Sequence, residues 1–116
     1  MKRSADHFEK ALAKVQEHGG AAYSSRAVEK LNQRLIESER AFLDENGLPE
    51  RPWFKNQIYA PGAYTGYGVK TLPGVREAIE ERHWKEADEQ IEIAARGLER
   101  FSAEIEKATA LVRQTR

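Results

Sequence analysis

Chemistry in this chain would have to come from three histidines, a knot of carboxylates, or a run of glycines and tyrosines. The histidines are His7, His18 and His83. A metal site on a helix needs His or Cys partners at i+3 or i+4, and none of the three has one. His7 and His18 lie 11 residues apart, about three helical turns, too far to share an ion. All three read as surface or corner histidines. Glu77, Glu80 and Glu81 stand beside Arg76 and Arg82, most simply as a charged exterior. Gly66-Tyr67-Gly68-Val69-Lys70-Thr71 has the outline of a phosphate-binding loop. That loop requires its lysine directly after the second glycine, with a strand before it; here Val69 intervenes and no strand precedes. No Ser-His-Asp set can be assembled, because the histidines lie outside the stretch that carries the distinctive residues. With no cysteine, thiolate and disulfide chemistry are absent. Tyr64 and Tyr67 remain. They sit among glycines, where little else can pack, and each offers an apolar ring with a hydrogen-bonding tip. Contact with a partner or ligand and plain packing are equally open for these two.

These tyrosines belong to a stretch that stands apart from the rest of the chain. Residues 44–74 hold all four prolines (Pro49, Pro52, Pro61, Pro73), Trp53, Phe54 and five of the eight glycines. Pro52 and Pro61 fix φ and remove backbone donors, so no regular helix passes through them. Gln57-Ile58-Tyr59 is the one strand-like piece. A loop of this length inside a compact domain is usually functional or a disordered linker, and this one is too aromatic for a linker. Trp53, Phe54, Ile58 and Tyr59 read as a cap on the apolar end of the surrounding helices.

The flanks are helical. Phe8, Ala11, Leu12 and Val15 share a face over about residues 4–18, with Ser4 as the N-cap and Gly19-Gly20 as the stop. After Ser24 or Ser25 as cap, Val28, Leu31, Leu35, Ser38 and Phe42 mark a second amphipathic helix over about 25–43, stopped by Asn46-Gly47. Pro73 suits the start of a short third helix at about 74–82, and His83-Trp84 a corner. The last helix, about 85–114, is the clearest. Ala87, Ile91, Ala94, Leu98, Phe101, Ile105, Ala108 and Val112 alternate at spacings of four and three, the period of a helix packed along its length. The fold class expected is all-α: an up-and-down bundle of three long helices and one short one, with the long loop between the second and third. By length, 116 residues make one domain.

Composition narrows the function class. Nineteen basic residues against 19 acidic ones lack the basic excess of a nucleic-acid module. No apolar run approaches the roughly 20 residues of a membrane helix. The N-terminal MKRSADHFEK lacks the apolar core of a signal peptide.

One ordered set of residues resembles a known family. It runs Glu39-Arg40-Ala41-Phe42, then Gly47-Leu48-Pro49-Glu50-Arg51-Pro52-Trp53-Phe54, then Ile58-Tyr59-Ala60-Pro61 and Pro73-Gly74, then Trp84, Gln90-Ile91 and Ala94-Ala95. This order and spacing resemble the transferrin-receptor-like dimerisation domain, the C-terminal helical domain of glutamate carboxypeptidase II and its relatives and of the transferrin receptor. The resemblance covers about residues 24–112. From 39 to 74 it is nearer the carboxypeptidases than the receptor. It implies a helical bundle that brings two copies of a larger protein into a homodimer, with an extracytoplasmic setting. In the carboxypeptidases the remainder is a dinuclear zinc peptidase domain. Nothing here resembles the family's zinc ligands, so the chain alone is expected to be catalytically inert, with zinc in the missing peptidase domain. The partners implied are a second copy and that peptidase domain, and a peptide substrate indirectly.

The resemblance also implies that the long loop helps close the substrate pocket, where the family uses a Lys-Tyr pair on the carboxylate of a C-terminal glutamate. Tyr67 matches the tyrosine. Gly66 stands where the lysine would be, and Lys70 is the candidate for the missing charge. The site residues expected are therefore Tyr67, Lys70 and Tyr64, all for substrate binding. The alternative is a structural or partner-binding bundle, as in the receptor, with no part in catalysis. A free-standing enzyme is a third reading, and would require hydrolysis by the chain itself without zinc.

Overall fold

A computed structural model describes residues 1–18 and 23–114. The expected stop at Gly19-Gly20 lies outside the described residues. The elements, in order, are α1 (Lys2–Glu17), α2 (Ser25–Arg40), β1 (Tyr59–Pro61), β2 (Val69–Thr71), α3 (Pro73–Glu80) and α4 (Trp84–Gln114). The described chain is thus mostly helical, with one small antiparallel sheet of two strands. No helix among the described residues is long and apolar enough to cross a membrane. Two compact units result, Met1–Ala41 with Glu99–Arg116, and Phe42–Leu98.

The first unit holds α1, α2 and the C-terminal half of α4. Its buried residues include Ala11, Ile105, Ala108 and Val112, the last three from the expected stripe. Three hydroxyls are buried with them, and each is satisfied by a backbone carbonyl of its own helix. Ser38 donates to Leu35 O (2.6 Å), Thr109 to Ile105 O (2.9 Å) and Ser4 to Met1 O (2.7 Å). A hydroxyl satisfied in this way is tolerated in an apolar stripe, which explains the serine in the α2 pattern. Ser4 is therefore inside the first turn rather than capping it, and Met1 occupies the cap position. Ser24 caps α2, accepting from Ala27 N at 3.2 Å. Polar contacts tie the three helices together: His7 Nδ1 with Glu106 Oε1 (2.9 Å), Arg34 Nη1 with Glu104 Oε2 (2.9 Å), and Arg100 Nε donating to Ala41 O (3.2 Å).

In the second unit the expected loop 44–73 is folded against itself. Gln57 N donates to Phe42 O, Asp44 N to Lys55 O and Leu48 N to Phe54 O, all at 2.9–3.0 Å. Those bonds take Phe42 and Asp44 out of the helix, so α2 ends at Arg40 instead of near residue 43. Gly47 makes the reversal with φ +69°, and a Cβ there would lie 2.3 Å from Pro52 O. Only glycine meets both demands. Leu48, 2% exposed, fills the centre of this folded segment.

The strand begins at Tyr59, later than the Gln57-Ile58-Tyr59 expected. Asn56 Oδ1 accepts from both Ile58 N and Tyr59 N and so occupies those donors. The hairpin register is Tyr59↔Thr71, Ala60↔Lys70 and Pro61↔Val69. Because strand side chains alternate, Ala60 and Lys70 share the covered face, while Tyr59, Val69 and Thr71 share the open one. Along the first half of α4, Ala87, Gln90, Ala94 and Gly97 turn inward and Ile91 is exposed, contrary to the apolar stripe. Gln90 packs flat on Gly74 of α3, where a Cβ would sit 2.4 Å from Gln90 Oε1.

Candidate functional site

The tip between β1 and β2 is a tight, polar-bonded turn. Gly62 N donates to Gly68 O (2.9 Å), Tyr67 N to Thr65 O (2.7 Å), and Thr65 Oγ1 to Gly68 O (3.3 Å). Gly66 takes φ +64°. This turn holds its backbone together with its own groups and leaves its two aromatic rings outside. Tyr67 is fully exposed and Tyr64 is 80% exposed. Neither packs into the core of its unit.

The base of the hairpin is fixed by two ion pairs with α3. Arg51 and Glu77 are nearly buried, with side chains 10% and 13% exposed. Arg51 Nη2 donates to Glu77 Oε2 and Nη1 to Pro61 O, both at 2.5 Å. Glu77 Oε1 accepts from Ala63 N at 2.8 Å. One carboxylate thus anchors both the arginine and the hairpin's first turn. Arg51 also stands over the Phe54 ring, 5.8 Å from its centroid, a favourable place for a guanidinium. The second pair joins Lys70 Nζ to Glu80 Oε2. Glu80 also accepts from Arg76 Nε at 3.1 Å. Hydrogen bonds from Lys70 and then Arg76 hold the Glu80 carboxyl below its ordinary value.

The three expected site residues therefore part company. Tyr67 stands on the open tip. Tyr64 lines a cleft of about 240 Å³ with Glu50, Glu77, Glu81, His83 and Glu86. Lys70 is turned back onto α3, its side chain 16% exposed. It does not stand beside Tyr67 as an unpaired charge. The carboxylates of the cleft act on Tyr64: the charge and hydrogen bond of Glu81 push its phenol above its ordinary 10.0, with Glu50 and Glu77 adding to the effect. His83 Nδ1 lies 3.3 Å from Glu81 Oε2 and 3.5 Å from Glu86 Oε2. Among the described residues no group of three or more His, Cys, Asp or Glu is placed to hold a metal ion.

Two expectations need correction. Glu77 is not part of a charged exterior; it is the carboxylate that fixes the hairpin. Of the four residues expected to cap the apolar end, Phe54 and Ile58 are half-buried, while Trp53 and Tyr59 are exposed. Trp53 instead leans on Phe54, ring centroids 6.2 Å apart. Arg51 stood out in the sequence by its place before Pro52 and within the Gly47–Phe54 run, and neither marks it as the partner of Glu77.

Comparison with known proteins adds the family context. Residues 1–106 match the family model described as the transferrin receptor-like dimerisation domain. The chain is similar to a probable glutamate carboxypeptidase of Arabidopsis thaliana, 53% identical over 53 residues, covering 46% of this chain and 8% of that protein. It is also similar to a probable glutamate carboxypeptidase of Arthroderma benhamiae, 34% identical over 89 residues, covering 76% of this chain and 12% of that protein. A third similarity is to an inactive zinc metalloprotease of Schizosaccharomyces pombe, 32% identical over 78 residues, covering 67% and 10%. The chain spans about a tenth of the length of these relatives.

Proposed function

The chain belongs to the transferrin receptor-like dimerisation domain family, and from that premise we propose that it is the non-catalytic homodimerisation domain of a glutamate carboxypeptidase-like zinc peptidase. In this reading its long helices form an up-and-down bundle, and the Tyr59–Thr71 segment borders the substrate pocket of the parent protein. Zinc belongs to the peptidase part of that protein, and hydrolysis is carried out there. The helical domain contributes association and a shaped edge.

The observation that carries the pocket-closing role is the tip itself. Two exposed tyrosines, Tyr64 and Tyr67, project from a hairpin whose base is fixed by Arg51–Glu77 and Lys70–Glu80. Exposed aromatic rings on a firmly held turn suit contact with a ligand or neighbouring domain, because little ordering cost remains when they bind. In the intact protein, Tyr67→Phe is expected to weaken substrate binding by about 1 kcal/mol, one lost hydrogen bond. Unchanged binding and kinetics would remove the pocket role. Association is tested separately by light scattering over a wide concentration range. A stable mass near twice 13.2 kDa supports dimerisation by the bundle itself, and a monomer throughout assigns it to other parts of the parent protein.

A second reading has its own support. Gly66 brings no side chain next to Tyr67, and Lys70 is engaged by Glu80. One of the relatives is an inactive metalloprotease. On this reading the domain is a structural or partner-binding bundle, and the tyrosine tip is a docking contact with no part in catalysis.

A further inference from the structure

Resting on the homodimerisation reading, we infer that α2 of one copy packs on α2 of the second copy about a two-fold axis at Asn32. α2 is amphipathic, yet the residue it buries is Ser38 and no apolar one. Val28 and Ile36 are 43% and 52% exposed, and Leu31 and Leu35 are half-buried. In the same unit α4 buries Ile105, Ala108 and Val112. α2 turns Ser38 and the Arg34–Glu104 pair toward its unit and leaves Val28, Asn32 and Ile36 outside. A helix in a folded domain owes most of its stability to packing of its apolar face. This face of α2 lacks its cover.

The exposed face is complementary to itself. Val28, Asn32 and Ile36 follow at spacings of four and form one ridge along the helix, with Leu31 and Leu35 beside it. Ridges of this kind interdigitate at a crossing angle of about −50°, which confines contact to the turns around the crossing point. A two-fold axis there makes every contact reciprocal. With the helices antiparallel about Asn32, Val28 of one copy meets Ile36 of the other. At the axis the two Asn32 amides face each other, and an amide offers both donor and acceptor. Such a polar pair within an apolar seam fixes register. The ends match in charge. Arg26 in the first turn and Glu39 in the last are exposed, and among the described residues neither has an ion-pair partner. The antiparallel arrangement brings Arg26 of one copy to the end where Glu39 of the other stands. One helix pair buries less than the roughly 800 Å² per partner of a stable interface, so α2 supplies one part of the dimer contact.

The test uses the intact protein, its mass followed by sedimentation over a wide concentration range. Ile36→Glu is expected to weaken the dimer at least about tenfold, because each copy loses an apolar contact and brings an unpaired carboxylate to the seam. Ile36 is exposed within its own chain, so helical circular dichroism and Tm should stay as they are. Arg26→Glu should weaken the dimer about threefold, and adding Glu39→Arg should restore it, an exchange that a role within one chain would not produce. Asn32→Cys, at the axis, should cross-link two copies under mild oxidation. Lys30→Cys, two residues away and so on the far side of the helix, should not. The chain has no cysteine of its own to interfere. A dimer unmoved by Ile36→Glu, or an Asn32→Cys protein that cross-links no faster than Lys30→Cys, overturns the inference and leaves dimerisation standing through another face. A monomer at every concentration overturns both.

Discussion

Replacing Glu77 with alanine tests whether one carboxylate fixes the tyrosine hairpin. The change removes two contacts at once, the 2.5 Å bond from Arg51 Nη2 and the 2.8 Å bond from Ala63 N. Arg51 would keep its charge with a side chain 10% exposed, and would retain the Pro61 carbonyl and the Phe54 ring as neighbours. Removing one partner of a buried ion pair costs about 3–5 kcal/mol, because the other charge is left uncompensated. The pair lines the cleft, where water can reach it as it relaxes, so about 3 kcal/mol is expected. A domain of this length holds roughly 6–17 kcal/mol in total. At the usual unfolding entropy per residue, the loss corresponds to a Tm drop of about 12 °C. Urea unfolding followed by circular dichroism measures the cost, and amide exchange at Ala63 reports the local release. Arg51→Met combined with Glu77→Leu should recover most of the loss, since no charge is then left buried. A cost below about 1 kcal/mol, with Ala63 exchange unchanged, would place this pair among exposed ion pairs and refute the reasoning. A double variant as unstable as the single one would assign the cost to lost packing.

Three further outcomes follow from the same geometry. Gly47→Ala should cost at least about 2 kcal/mol in urea unfolding, because alanine must hold a positive φ and its Cβ meets the Pro52 carbonyl, a backbone group with little freedom to move. The Glu104 carboxyl is held below its ordinary 4.5 first by the hydrogen bond from Lys107 and then by that from Arg34. Its contribution to stability is therefore present above about pH 4.5 and is lost as pH falls through the lower folded value. Carboxyl NMR titration should show Lys107→Met moving Glu104 back up, and no movement would discount that hydrogen bond. Tyr64 has the opposite sign: its folded value is raised by Glu81, so the associated stability is present below pH 10.0 and lost as pH rises through the folded value. Glu81→Gln should lower the Tyr64 midpoint in an ultraviolet phenolate titration, and an unmoved midpoint would discount the Glu81 contact.

The helices were legible because their signal is local. The α4 stripe of Phe101, Ile105, Ala108 and Val112 repeats within one segment, and burial of the last three follows the repeat directly. Ser38 in α2 looked like an exception, and the i−3 carbonyl explains it with no change of pattern. The first half of α4 was less legible for the same reason. Its register is decided by Gly74, ten or more positions away, where the missing Cβ admits Gln90 and leaves Ile91 outside. Helical periodicity cannot see that vacancy. The end of α2 was misplaced because Phe42 and Asp44 are claimed by backbone groups of Gln57 and Lys55, partners that no window along α2 contains.

The candidate site divides along the same line. Tyr64 and Tyr67 could be singled out because glycine neighbours leave a ring nothing nearby to pack on, and that condition is written in adjacent residues. The charges could not be sorted in this way. With 19 cations and 19 anions in the chain, nearly any lysine has several carboxylates within plausible reach. Lys70 sits four residues after Gly66, so sequence proximity made it a candidate for the tip. Strand pairing overrides proximity: opposite Ala60, Lys70 must leave on the covered face, where α3 presents Glu80. Its neighbours Val69 and Thr71 leave on the open face with Tyr59. A one-residue shift in the hairpin register would exchange these faces and put Lys70 on the side of Tyr59. The charge that stands at this tip is thus set by strand register, and the bonds that Ile58 N and Tyr59 N donate to Asn56 Oδ1 are among those that fix where the strand begins.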